Sequence, residues 1–185
     1  MNRKLLRTII LVIIILFIGY RYEVVKNSIS QAKVLLESKD YDEAMSSLQK
    51  ALDKNKENKE AKKMYKIVDL YKQAESRLEK NNFEEANGIL SLIDKDYIKY
   101  PIKDDIDLMK RKVDNYYNQI EKINTNLIEA QKLFNNKEYK QCIVYLLNNI
   151  LGSEEDGIEE NKYANEEQRQ KAYQLVERCE KNIGV

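Results

Sequence analysis

The chain has no histidine and no tryptophan, one proline, five glycines and two cysteines in 185 residues. Histidine is the commonest general base and the commonest metal ligand. Its absence removes Ser-His-Asp triads, HExxH zinc sites and Cys2His2 fingers from consideration. Helix interiors tolerate little Gly or Pro, whereas sandwiches and barrels need many turn residues. The scarcity of both predicts an all-α fold. An excess of one charge is also missing: 32 basic and 31 acidic residues leave a formal net charge of +1. A nucleic-acid binder would show a basic surplus, so no nucleic-acid partner is expected. Cys142 and Cys179 form no CxxC pair, which excludes a zinc ribbon or a thioredoxin-type site. Each falls on an apolar helical stripe. They read either as two small buried hydrophobes or as one disulfide, if the domain lies outside the cytoplasm.

What the chain does have is a long apolar run at its amino terminus. Residues 9–18 are ten consecutive Ile, Leu, Val or Phe side chains. On the membrane-insertion scale such a run contributes about −3 to −6 kcal/mol. Residues 5–22 would make ~27 Å of helix, which barely crosses a hydrocarbon core of ~30 Å. Arg7 and Arg21 stand near the two ends, where they can snorkel to headgroups; Tyr20 and Tyr22 suit an interface. A cleaved signal peptide competes with this reading. The nearest small-x-small site, however, is Ser28-Ile29-Ser30, beyond three charged residues and inside the next expected helix. The expectation is therefore an uncleaved single-pass anchor over residues 1–22. Arg3, Lys4 and Arg7 crowd the short tail, and the positive-inside rule keeps that tail cytoplasmic. The remainder of the chain would be extracytoplasmic.

The rest of the chain carries a repeat. An Ala is followed after nine residues by an aromatic, after three more by a small residue, and after four more by Leu. The three copies are Ala32, Tyr41, Ala44, Leu48; then Ala74, Phe83, Ala86, Leu90; then Ala130, Tyr139, Cys142, Leu146. Polar stretches intervene at Ser38-Lys39-Asp40, Lys80-Asn81-Asn82 and Asn136-Lys137-Glu138. The pattern describes a helical hairpin. Ala at the crossing lets two backbones approach, the aromatic fills the wedge behind the turn, and the small residue and Leu line the second helix's inner face. Hairpins are expected over about 23–57, 58–100 and 102–151.

These residues resemble the tetratricopeptide repeat. Asp40-Tyr41-Asp42-Glu43-Ala44, with Gln49-Lys50-Ala51-Leu52, is the closest stretch. Asn82-Phe83-Glu84-Glu85-Ala86 is a second match and Glu138-Tyr139-Lys140-Gln141-Cys142 a third. The family's closing Pro is missing, with Lys56 near its place, and Asn149 replaces the Ala that corresponds to Ala51. The intervals are 42 and 56 residues rather than the family's ~34. The resemblance implies stacked hairpins with a concave surface lined by the first helix of each pair. In register with the leading Ala, that surface would present Ile29, Lys33 and Leu36, then Tyr71, Glu75 and Leu78, then Leu127, Gln131 and Phe134 to a protein or peptide partner. Leu36, Leu78 and Phe134 read equally well as core between helices.

The longer intervals have an outlet in longer helices. Ala61, Met64, Val68, Tyr71, Ala74 and Leu78 form one stripe. Ile102, Ile106, Met109, Val113, Tyr116, Ile120, Ile123, Leu127, Ala130 and Phe134 alternate steps of four and three, which is a heptad-like seam. One helix over about 103–136 is expected, with Pro101 before it. Its seam reads as core of the chain's own solenoid, as a strut that homo-oligomerises, or as two helices broken at Asn124-Thr125-Asn126. Residues 152–164 read as an acidic linker, in which Glu154, Glu155, Asp156, Glu159 and Glu160 match no calcium loop. Ala172, Leu175, Val176, Cys179 and Ile183 predict an amphipathic helix over 165–185 that caps the stack. Asp94 and Asp96 read as a loop or helix cap. No catalytic, metal or cofactor site is expected. The expected function is a membrane-anchored scaffold for protein–protein interaction; the alternative is a structural membrane protein that oligomerises through the long helix.

Overall fold

A computed structural model describes residues 3–154 and 157–184, with side chains from Arg7 onward apart from Thr8. The side chains of Arg3, Lys4, Leu5 and Leu6, and linker residues Glu155 and Asp156, therefore lie outside the described residues. The chain is all-helical and, among the described residues, has no strand; Ser153 and Ile158 make one isolated antiparallel bridge. Among the described residues seven α-helices follow in order: α1 Arg3–Glu37, α2 Tyr41–Lys54, α3 Lys59–Glu79, α4 Phe83–Ser91, α5 Lys103–Asn135, α6 Tyr139–Leu146 and α7 Glu166–Ile183. A 3-10 turn, Lys95–Lys99, precedes α5, and a π-helical turn, Leu147–Leu151, extends α6. The chain divides into two compact units, Met1–Arg111 and Lys112–Val185, with the division falling inside α5.

The helix ends follow local chemistry. Asn58 caps α3 by accepting from the Ala61 N–H at 2.9 Å. Asn82 caps α4 by accepting from the Glu85 N–H at 3.1 Å. Asp42 and Glu43 begin α2 and Lys54 ends it, each complementing the helix dipole. Asp104 and Asp105 do the same at the start of α5. Asn165 and Gln168 form a reciprocal capping box on α7, and Gly184 closes it in the left-handed region.

In the first unit α1 packs on α2, α2 on α3, and α3 on α4, the neighbour-to-neighbour order of a helical solenoid. Its core holds Val25, Ala32, Leu48, Ala51, Met64, Ile67 and Val68, together with Ile102 from the turn before α5 and Ile106 from its first turn. The second unit gathers Ile123, Ala130, Cys142, Leu146, Ile150, Ala172, Leu175 and Cys179 into one cluster.

One difference from the sequence reading has a physical cause, and one expectation is met. The anchor and the first hairpin were expected to part at residues 22–23, yet α1 runs through without a break. No proline or capping residue interrupts it, and Gly19 is accommodated in open space. The long helix forms as one element, and nothing breaks it at Asn124-Thr125-Asn126. Asn126 is buried there, with its carbonyl accepting from the Tyr145 hydroxyl at 3.2 Å. The seam residues Ile102, Ile106, Met109, Val113, Ile123 and Ala130 are all buried within the chain. The oligomerising strut thereby loses those contact side chains, because they already fill the chain's own interior.

Candidate interaction surfaces

The three hairpin turns have the same backbone geometry. Lys39, Asn81 and Lys137 each adopt a positive φ of 64°, 55° and 62°. In each turn the following N–H reaches back five residues: Asp40 to the Leu35 carbonyl at 2.8 Å, Asn82 to Arg77 at 2.9 Å, Glu138 to Leu133 at 2.9 Å. The left-handed residue itself donates three residues back, to Leu36, Leu78 and Phe134. This paired pattern is the Schellman helix stop, repeated at equivalent stations. Its usual signal is Gly; here two Lys and one Asn hold the position.

Behind those turns lie the repeat residues. Ala32, Ala44, Leu48, Ala74, Ala86, Leu90, Ala130, Cys142 and Leu146 are buried, and Tyr41, Phe83 and Tyr139 are half-buried beside them. A tetratricopeptide repeat family model matches residues 35–97. The match covers about a third of the chain, from the end of α1 to the 3-10 turn. No curated protein and no solved structure matches this chain. The first two tetratricopeptide-like hairpins thus hold the stretch in which the family resemblance is strongest, and the third is placed by its own turn geometry.

The side chains expected on a concave surface have other surroundings. Ile29, Leu36, Tyr71 and Leu78 are buried among the helices, Ile29 keeping only a small edge on a cleft beside α1. Lys33 is half-buried and pairs with Glu60 at 2.7 Å. Glu75 is half-buried and accepts from the Tyr71 hydroxyl at 3.2 Å. In the second unit Leu127 and Phe134 pack partly buried against the core. Phe134 meets Tyr139 edge-on with ring centres 5.4 Å apart, and the Arg178 guanidinium stands 4.3 Å above its ring. Gln131 donates to the Asn135 side chain at 2.9 Å. A stripe at helical spacing cannot separate an inner face from a concave outer one. Leu36 and Leu78 lie four residues after the buried Ala32 and Ala74, hence on the same helix face.

The polar contacts near these positions are structural in character. Asp105 accepts from Tyr41 at 2.8 Å and from Lys39 at 2.6 Å, and the Tyr41 and Tyr71 rings lie 4.8 Å apart. Burial first, then the Asp105 bond, pushes the Tyr41 hydroxyl well above its usual range; burial raises Tyr71 to about 12. Both therefore stay protonated as hydrogen-bond donors at neutral pH. Asp94 caps the 3-10 turn by accepting from the Asp96 N–H at 2.8 Å. Asp96 pairs with Lys63 and with Lys99, and these ammonium groups hold its carboxyl down at about 2. Among the described residues no three His, Cys, Asp or Glu side chains group as a metal would require. Cys142 and Cys179 are both free and buried. Burial, and next the adjacent Cys179 thiol, pushes Cys142 up to about 12, and its thiol donates to the Ala130 carbonyl at 3.2 Å.

The largest apolar exposure lies on α1. Residues 9–18 are each between 44% and 67% exposed, and Tyr20 and Tyr22 are exposed after them. Among the described residues no helix is long and apolar enough to cross a membrane. The described side chains of α1 hold the apolar run itself but not Leu5 and Leu6 before it.

Proposed function

We propose that this chain is a membrane-anchored, tetratricopeptide-like adaptor that presents its helical hairpins to a protein partner at the cell envelope and performs no catalysis. Repeats of this type generally mediate protein–protein interaction. One observation carries the membrane half of the reading. Ten apolar side chains stand uncovered on a helix whose last third, from Val25, is packed into the first hairpin. Contiguous apolar exposure on this scale marks a surface that something apolar covers. A bilayer suits it, because the apolar residues occupy every side of the helix rather than one stripe. With Leu5 and Leu6 included, the segment reaches the length of a short span. Arg7 and Arg21 bound it, and Tyr20 and Tyr22 sit where headgroups would lie. The basic tail favours a cytoplasmic amino terminus and extracytoplasmic hairpins.

Deleting residues 1–22 tests the proposal. The shortened chain is expected to fold and to leave the membrane fraction. If it stayed there, the anchor reading would fail. Protease shaving of intact cells decides the orientation: protection of the hairpins would reverse it. Crosslinking in the native membrane reports whether a protein partner is bound; its absence under all growth conditions would argue against an adaptor.

A further inference from the structure

A cleft of about 800 Å³ opens beside α1, where the apolar run ends. Ile18, Val25 and Ile29 give it an apolar wall on α1. Its opposite side is the end of α2 and the turn into α3, from Asp53 to Glu60. Five cations and three acids line it, and their pairing is uneven. Glu60 is held by Lys33 at 2.7 Å and Glu57 by Lys62 at 2.8 Å; Asp53 accepts from the Gln49 amide at 2.9 Å. Arg21 donates to the Lys54 backbone carbonyl, and its guanidinium lies 5.7 Å from the Phe17 ring centre. Lys26, Lys54 and Lys56 make no ion pair among the described residues. Asp53 keeps its charge, because the Gln49 amide is neutral, but five cations against three acids still leave the lining an excess of positive charge beside an apolar wall.

Unpaired lysines on an open surface mean little, since water solvates them. Their position gives these meaning. The cleft begins at Ile18, the last residue of the exposed apolar run, and includes Arg21 and Tyr22 just beyond it. The apolar wall is thus continuous with the segment proposed to enter the bilayer. A ligand that fits carries a negative head and an apolar body, and lies at the depth of the headgroups.

We propose that this cleft binds the headgroup of an anionic phospholipid from the leaflet that α1 enters. Lys26, Lys54 and Lys56 meet the phosphate-bearing head; the exposed Ile18 and the uncovered edges of Val25 and Ile29 lie along the glycerol and the upper acyl chain. The inference rests on residues 5–22 being an anchor. Juxtamembrane lysines attract anionic lipid at about fivefold in affinity each. A zwitterionic headgroup gains less, because it brings its own ammonium.

The test uses the full chain in mixed micelles holding phosphatidylglycerol and phosphatidylcholine in equal amounts, with retained lipid read by native mass spectrometry. Phosphatidylglycerol is expected to dominate. The triple variant Lys26→Gln, Lys54→Gln, Lys56→Gln is expected to lower that preference about fivefold or more. A control triple in the second unit, Lys122→Gln, Lys140→Gln, Lys181→Gln, is expected to keep it. Equal retention of the two lipids, or equal loss in both triples, overturns the proposal. Displacement of the lipid by millimolar inorganic phosphate also overturns it, in favour of a site for a free anion. Alkaline carbonate extraction of native membranes separates the two readings. A chain that resists extraction yet shows no lipid preference refutes the cleft alone, while a chain released by carbonate removes the anchor on which it rests.

Discussion

Replacing Leu36 by alanine discriminates a core position from a partner-facing one. Leu36 is 1% exposed at the end of α1, whereas Val34, two residues earlier on the same helix, is 62% exposed. Leu→Ala removes three carbons at ~0.8 kcal/mol each. The cavity left behind adds a further contribution, placing the loss at about 3–4 kcal/mol, within the range for buried leucines. Val34→Ala deletes atoms that already face solvent and is expected to stay within about 0.5 kcal/mol of the parent. For a unit of the size of Met1–Arg111 a loss of about 3–4 kcal/mol lowers the melting temperature by roughly 12–32 °C. The assay is thermal unfolding of the full chain in a mild detergent, followed by far-ultraviolet circular dichroism. The first unit holds Leu36, so the transition that moves belongs to that unit. Equal effects of the two substitutions would refute the packing of α1 against α2. A Leu36→Ala protein of parental stability that lost only partner binding would return this side chain to the interaction surface.

Other expectations concern the second unit. Asn165→Ala removes half of the α7 capping box and is expected to cost about 1 kcal/mol. Gln168→Ala loses the other half and also the bond to the Asn124 side chain at 2.8 Å, so its loss in a denaturant titration is expected to be the larger. Gly152 has φ +74°, and an added Cβ would lie 2.7 Å from the Glu160 nitrogen. Gly152→Ala is therefore expected to destabilise by about 1–3 kcal/mol. By contrast, helical Gly88 has open space around it, and Gly88→Ala is expected to stabilise by about 0.5–1 kcal/mol; opposite signs in thermal melts check the pair. The Cys142 thiol is raised from 9.0 to about 12 in the folded chain. The folded state thus favours the protonated form. Its contribution is present in full below pH 9 and is lost as the pH climbs toward 12. Cys142→Ala is expected to flatten the alkaline loss of stability in that window, and the native thiol is expected to resist alkylation at pH 8 until the chain unfolds.

The hairpins were readable in the sequence because their signals are strong and local. An Ala, an aromatic, a small residue and a Leu at fixed spacing, with polar turns between, specify two packed helices. The Schellman stops at those turns were not readable, since Lys39 and Lys137 occupy a backbone conformation usually announced by Gly. The division inside α5 left no mark either. The seam keeps its four–three rhythm across Arg111 and Lys112, because helix periodicity records which face is apolar but not what that face meets. The π-helical turn after α6 had a trace. Asn149 stands where the first hairpin has the buried Ala51, and its amide bonds the Tyr145 carbonyl at 2.8 Å. A side chain competing for that carbonyl accompanies the widened turn. Four side chains expected on a partner surface, Leu36, Leu78, Ile29 and Tyr71, are buried for a reason already visible in their spacing: residues in phase with a buried Ala are buried with it.

The unbroken course of α1 sets the mechanical character of the molecule. With the apolar run in a bilayer, Val25 follows Tyr22 by three residues, or ~4.5 Å of rise. Such a junction has no slack. The first hairpin would then ride on a stiff mast and inherit its tilt, so a partner engaging that hairpin would meet it at a fixed height above the headgroups rather than at the end of a flexible tether.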